Sequence, residues 1–256
     1  MNIQTELTLI ADAWRTSKSV MVLTGAGIST ESGLPDFRSA TGMWTKNPTN
    51  LFTMEMLDED PKGFYAFYHT WISNIWATQP NLGHKGLAAL MKVGFIKTLA
   101  TQNIDGLHQE AGSANVLELH GTLRTVSCMQ CAATFDSRKM ILNPAEIWLC
   151  PKCKGHLRPD ITMFGESLPE NAWEKAGREA LRADLFVVVG SSLTVSPANL
   201  LPEWAVSRGA KLLIINHDPT PLDERADWVI RESAGEVIGK LAELVDIQVE
   251  GYPSVQ

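Results

Sequence analysis

The chain lacks any long apolar run. Nothing in its 256 residues approaches the roughly 18 consecutive apolar positions that a membrane-spanning helix needs. Its first residues, MNIQTELTLIADAW, have no basic stretch followed by an apolar core and a small-residue cleavage site. No targeting signal is read there, and a cytoplasmic location with no membrane partner is expected. Positive charge is also short. Lys and Arg total 22 against 29 Asp and Glu, a net charge of −7, which argues against general binding to nucleic acid. Cysteine is scarce, at four residues. In a chain without a secretory signal, paired thiols are more often metal ligands than disulfides. Internal repeats and low-complexity tracts are absent. What remains is an ordinary globular composition, 45% hydrophobic and 20% charged, in a length that suits one large domain or a large domain with a smaller insertion.

Hydrophobic periodicity then sorts the chain. Leu7, Ile10, Ala11 and Trp14 recur at helical spacing within residues 4–17, so an amphipathic helix leads in. VMVLTG (20–25) is a short apolar run of β-formers that stops at a glycine, the pattern of a buried parallel strand. The same pattern returns at 94–103, 183–192, 211–216 and 227–230, with helical stretches at 197–209 and 234–245. Strand and helix in alternation predict an α/β fold, a Rossmann-like parallel sheet with helices on both faces. Two stretches break the rhythm: residues 43–90, helical and rich in Trp, Phe and Met, and residues 122–160, which hold all four cysteines. Both are read as insertions forming a smaller lobe, a helical module and a zinc-binding module, on a nucleotide-binding lobe of residues 1–42, 91–121 and 161–256.

Cys128-x2-Cys131 and Cys150-x2-Cys153 stand eighteen residues apart, within the spacing of a tetrahedral zinc site. Metal binding there supplies folding free energy, about 10–16 kcal/mol in zinc-finger peptides, which a short segment with little core needs. Two disulfides or an iron site are the alternative readings. Four thiolates close the coordination sphere, so the zinc is structural rather than catalytic. The surrounding segment from Thr122 to Asp160 is locally basic, with six Lys and Arg against three acidic residues. A solvated face is the ordinary explanation.

The predicted strands end in polar text: TGAGIS, TQNID, GSSLTVSP and INHD. Ligands of open α/β sheets bind beyond the carboxyl ends of the strands. Gly25 and Gly27 form the first two glycines of G-x-G-x-x-G, with Thr30 in the third place. On that reading Gly25 allows the tight turn, Gly27 allows a pyrophosphate close to the backbone, and the following helix offers its N-terminal N–H groups. No acidic residue lies in 41–47, where a hydride-transferring enzyme keeps its ribose anchor, so a dehydrogenase is disfavoured. Gln102, Asn103, Asp105 and His108 crowd one strand end, and His120 sits between an apolar strand and Gly121. An imidazole titrating near pH 6.5 can serve as a base.

Together these segments resemble the sirtuins, the NAD-dependent protein lysine deacylases. The resemblance is carried by GAGISTESGLPDFR (25–38), TQNIDGLH (101–108), ELHG (118–121), the two C-x2-C pairs, RPDITMFGE (158–166), GSSLTVSPA (190–198) and IN (215–216), in the family's order over about residues 20–240. It implies NAD and zinc as cofactors. It also implies a reaction in which the acyl-lysine oxygen attacks C1′ of the nicotinamide ribose and nicotinamide departs. The products are free lysine, nicotinamide and O-acyl-ADP-ribose. By the resemblance, His120 is the general base and Asn103 orders the ribose and a water, with Gln102 beside it. Ile104 and Asp105 form the nicotinamide pocket. Asp36, Phe37 and Arg38 belong to a cover over the reacting bond, with Arg38 near the phosphates. Gly25, Ala26, Gly27, Thr30, Gly190, Ser191, Ser192, Asn216 and Ala234 contact the rest of the dinucleotide.

The acyl-lysine peptide is expected as an added strand between TMFGES (162–167) and SLTVSP (192–197), with Phe164, Gly165 and Val195 against the lysine. Sirtuins that prefer succinyl and malonyl groups carry Tyr-x-x-Arg. This chain has Tyr68-x-x-Trp71, so Tyr68 falls at the acyl pocket without its arginine, and acetyl or longer apolar groups are expected. Phe64, Phe67 and Trp71 are assigned mainly to core packing. ADP-ribosyl transfer or NAD hydrolysis on the same fold is the alternative activity, and a non-enzymatic zinc-ribbon module is a weaker one.

Overall fold

The computed structural model describes residues 2–37, 42–43, 49–141 and 147–252. Asn2 accepts from the Gln4 N–H and opens α1 (Ile3–Thr16), whose Leu7, Ile10, Ala11 and Trp14 are buried. β1 (Val20–Thr24) follows, buried at every position, then a 3-10 helix at Ala26–Ser32. Next come α2 (Met54–Glu59), α3 (Pro61–Ala77) and α4 (Leu82–Lys92). Asp60 caps α3 with a proline in its first turn, and Asn81 caps α4. The chain continues through β2 (Thr98–Thr101), α5 (Leu107–Glu110), β3 (Leu117–Glu118), β4 (Gly121–Cys128), β5 (Thr134–Asp136), α6 (Ser137–Met140) and β6 (Leu157–Ile161). It ends with α7 (Glu170–Ala180), β7 (Leu185–Val189), α8 (Leu200–Ser207), β8 (Lys211–Ile215), β9 (Trp228–Ile230) and α9 (Ala234–Leu244).

Six strands form one parallel sheet in the order β3-β2-β1-β7-β8-β9. Side chains alternate across it, as a period of two requires. Val20 and Val22 join Val187, Leu213 and the helices α1, α4 and α9 in one core. Met21 and Leu23 join Phe186, Val188, Ile214 and the helices α7 and α8 in the other. Burial on both faces explains why these strands read as unbroken apolar runs. They are shorter than the sequence ranges implied, because 94–103 and 183–192 include the turns that carry polar groups out of the sheet.

A second sheet is antiparallel, in the order β5-β4-β6. It packs on α3 through Tyr65, Ile72, Leu123, Val126 and Leu157, in a third core that also contains Cys128, Cys150 and Ile104. One part of the 43–90 segment packs elsewhere. Leu87 and Leu90 of α4 share a core with Val237, Ile238 and Leu241 of α9, so α4 belongs with the parallel sheet rather than with α3. Its apolar stripe is the better match for a sheet-covering helix, which a composition count over 43–90 does not separate.

The two sheet-end turns that meet at the middle of the parallel sheet require glycine. Gly190 has φ +63°, and a Cβ there would stand 2.3 Å from the Ile28 nitrogen. Gly190→Ala is expected to cost about 3 kcal/mol or more, from the clash and the left-handed backbone together. Thermal denaturation checks this, and an unchanged melting temperature would contradict the close approach.

Candidate active site

Strand order reverses between β1 and β7, the switch point at which open α/β sheets bind ligands. The turns leaving these strands interlock: the Gly25 N–H donates to the Val189 carbonyl at 3.0 Å and the Gly27 N–H to the Gly190 carbonyl at 2.8 Å. A Cβ on Gly27 would meet the Gly190 Cα at 2.7 Å. Gly27 is therefore small to admit the turn that leaves β7, and it also borders the cavity above the two turns. The Ile28 N–H is also taken, by the Gly25 carbonyl at 3.1 Å, so the 3-10 helix does not present a row of open donors.

Above these turns lies a cavity of about 1120 Å³. Gly25, Ala26, Gly27, Thr30, Asp36, Phe37, Gln102, Asn103, Ile104, His120, Gly190, Ser191, Ser192, Asn216 and Ala234 all line it, as do Phe164, Gly165 and Val195. Arg38 lies outside the described residues. Phe37, Phe52 and Trp71 meet edge to face at its wall, with ring centroids 5.4–6.2 Å apart.

His120 sits between β3 and β4 with Nδ1 2.9 Å from the Gln102 carbonyl oxygen. A carbonyl only accepts, so Nδ1 carries the proton and the neutral ring has its lone pair on Nε2. Gln102 is itself held, its Nε2 donating to Ser191 Oγ at 2.8 Å across to the β7 turn. Asn103 is buried and donates from Nδ2 to Ser29 Oγ at 3.0 Å, and Ser29 donates to Asp105 Oδ2 at 2.8 Å. Asp105 Oδ1 accepts from the Leu107 N–H at 2.9 Å. Asp105 does not line the cavity: its carboxyl is buried behind Asn103 and Ser29. Burial raises its pKa, against the hydrogen bonds from Leu107 and Ser29 and the Arg124 charge, which lower it.

Behind Ser29 two imidazoles pack together, His84 and His108, with centroids 4.8 Å apart. His84 Nδ1 faces Asn81 Oδ1 at 3.0 Å, and His108 Nε2 faces Thr24 Oγ1 at 2.9 Å. Burial lowers the His84 pKa to about 4. His108 is pushed well down by burial and then by His84. Both rings are neutral at neutral pH.

The four cysteines converge at the edge of the antiparallel sheet. Cys128 and Cys153 Sγ are 3.4 Å apart, Cys131 and Cys150 Sγ 3.7 Å, and all four lie within 4.8 Å of one another. A disulfide would need about 2.05 Å. Zn–S bonds of about 2.3 Å at tetrahedral angles place sulfurs about 3.8 Å apart, so the donor set fits a closed zinc site.

The Sir2 family profile matches residues 25–197, more than half of the chain. The chain belongs to the Sir2 family. It is 45% identical over 238 residues to a Saccharolobus solfataricus protein named NAD-dependent protein deacetylase, covering 92% of this chain and 96% of that one. To a Geobacillus kaustophilus NAD-dependent protein deacetylase 1 it is 49% identical over 230 residues, covering 89% and 93%. A Sir2 structure with a deacetylated p53 peptide and 3′-O-acetyl ADP ribose superposes with a TM-score of 0.88 at 37% identity, covering 94% of this chain and 99% of that one.

In this Sir2-family chain one substrate residue is misplaced by the sequence reading. Tyr68 is fully buried, its hydroxyl donating to the Leu51 carbonyl at 3.2 Å, and it does not line the cavity. Trp71, assigned mainly to packing, does line it. The two rings share one helix face and stack at 5.9 Å, with Tyr68 covered beneath Leu51 and Trp71 at the cavity edge. Ser29 and His84 went unnoticed because a polar residue inside a motif or on a helix carries no mark of burial. The proximity of Ser29 to the glycine turn was the available signal.

Two outcomes follow from this geometry. Cys150→Ser is expected to lose the zinc ion, measured by metal analysis, and to destabilise the third core by several kcal/mol, on the order of the 2–5 that other cross-links contribute. Zinc retained in full would contradict the four-thiolate site. The depressed His84 works in acid: its folded pKa of about 4 lies below the unfolded 6.5, so the unfolded chain gains the proton first. Stability is expected to fall by about 3 kcal/mol as pH drops from the unfolded value toward the folded one. Denaturant titrations of wild type and His84→Gln across that window check it, the variant showing the shallower slope.

Proposed function

We propose that the chain is an NAD-dependent protein lysine deacetylase, yielding free lysine, nicotinamide and O-acyl-ADP-ribose. The observation that carries this reading is His120, held on the cavity wall by the Gln102 carbonyl with its basic nitrogen at Nε2, in a Sir2-family chain. NAD, when bound, supplies the ribose carbon that receives the acyl oxygen and the nicotinamide that leaves. His120 takes the proton that the ribose hydroxyls release. Asn103, fixed by Ser29, and Gln102, fixed by Ser191, orient the sugar and its water. Phe37, against Phe52 and Trp71, keeps bulk water from the reacting carbon. Ser191, Ser192, Asn216 and Ala234 hold the remainder of the dinucleotide. The zinc ion is structural and holds the antiparallel sheet. Among the described residues no helix is long and apolar enough to cross a membrane.

The peptide lies as an added strand between residues 162–167 and 192–197, both of which border the cavity. Phe164, 53% exposed at the cavity edge, offers the lysine stem an apolar surface. No Lys or Arg is among the described residues that line the cavity. With Trp71 in place of the arginine of Tyr-x-x-Arg, a dicarboxylic acyl group meets no counter-charge from that helix, which favours acetyl and apolar acyl groups.

A panel of acetyl-, butyryl-, myristoyl- and succinyl-lysine peptides with NAD, all products identified by mass spectrometry, tests the reading. Acetyl-lysine is expected to be cleaved at least about tenfold faster than succinyl-lysine. O-acetyl-ADP-ribose is the expected product, and free ADP-ribose alone would instead indicate hydrolysis. His120→Ala is expected to lower kcat by about 10²–10⁴ while still binding NAD.

A further inference from the structure

We propose that Arg124 is a positioning residue for the nicotinamide end of the site, fixing the turn at Asn103–Leu107 from the zinc-bearing sheet. The proposal rests on the deacetylase reading for its choice of turn. β4 leaves His120 directly and runs to the zinc ligand Cys128, so it joins the two centres along one strand. Its first turn-facing donors both reach the loop. The Leu123 N–H donates to the Ile104 carbonyl at 2.8 Å, and Arg124 Nε donates to the Asp105 carbonyl at 3.0 Å. The rest of the guanidinium is held on two more sides. Nη2 pairs with Glu110 of α5 at 2.5 Å, and the group lies 4.4 Å over the Trp76 ring of α3.

Gly106 completes the arrangement. It has φ +71°, and a Cβ there would meet Arg124 Nε at 2.5 Å and Cγ at 2.9 Å. The arginine stem thus runs through the space that any other residue at 106 would fill. Asp105 is consequently gripped at both ends, its carbonyl by Arg124 and its carboxyl by Leu107 and Ser29. A lysine at 124 lacks the planar fork that serves Asp105, Glu110 and the Trp76 face at once.

Charge adds a second effect. The groups facing the Asp105 carboxyl are Arg124, Glu118 and, through Ser29, the neutral His84 and His108, while Glu110 pairs with Arg124. Arg124 favours ionised Asp105, and burial and Glu118 oppose it. Without Arg124, Asp105 protonates at a higher pH.

Calorimetric titration of NAD and of ADP-ribose, which lacks nicotinamide, separates positioning from folding. Arg124→Ala is expected to bind NAD about tenfold more weakly, with ADP-ribose affinity within about twofold and zinc content unchanged. Arg124→Lys is expected not to restore NAD binding. Equal weakening of both nucleotides, or unchanged NAD affinity, would overturn the proposal. Should Arg124→Ala fail to fold, Glu110→Gln loosens the guanidinium, with an expected NAD-selective loss of about threefold and the same overturning results. Wild type that binds NAD but leaves acetyl-lysine peptide intact would remove the deacetylase reading, and the two titrations would still decide Arg124.

Discussion

The site depends on the backbone contact between two turns, the one leaving β1 and the one leaving β7. Gly27 donates to the Gly190 carbonyl, and neither residue has room for a Cβ. That contact brings the ends of the central strands together at the switch point of the sheet and forms the cavity floor. Gln102 ties the neighbouring strand end to the same turn through Ser191. His120 is oriented in its turn by the Gln102 carbonyl. Displacing the glycine turns would therefore move His120 as well as the floor.

A second set of constraints lies beneath the cavity wall. Asn103, Ser29, Asp105 and His84 form a buried hydrogen-bonded group, with the His108 ring packed on His84 and bonded to Thr24. Buried polar networks are costly when incomplete, so each member restricts the others. Neutral imidazoles at His84 and His108 keep extra charge away from Asp105. The antiparallel sheet closes this group from the other side, through Leu123 and Arg124. The cysteine cluster at the far end of β4 is thus remote from His120 yet joined to it along eight residues of strand.

Local basicity in the zinc segment proves to be partly internal. Arg124 pairs with Glu110, and Arg158 makes a two-pronged contact with Glu166 at 2.5 and 2.8 Å. Glu166 also accepts from the Met163 N–H, steadying one border of the cavity. Cations that look available in sequence are spent on joining β4 and β6 to neighbouring loops.

Much of the fold was legible in the sequence, because strands buried on both faces must be apolar throughout and must end where polar turns begin. The zinc ligands were legible too, since C-x2-C spacing limits where two thiolates can point. Most cavity residues were named through the resemblance to the sirtuins, and those at strand ends lie where a parallel sheet puts its ligands. The sequence by itself determined the alternation of strands and helices, the four cysteine ligands and the family motifs. Tertiary structure alone decided the remainder. It turned Tyr68 into the core and Trp71 to the cavity, placed α4 against α9, spent the smallness of Gly27 on Gly190, and set Arg124 against Asp105. Each of these is a contact between segments far apart in the chain, and local propensity carries no information about which distant surface a side chain will meet.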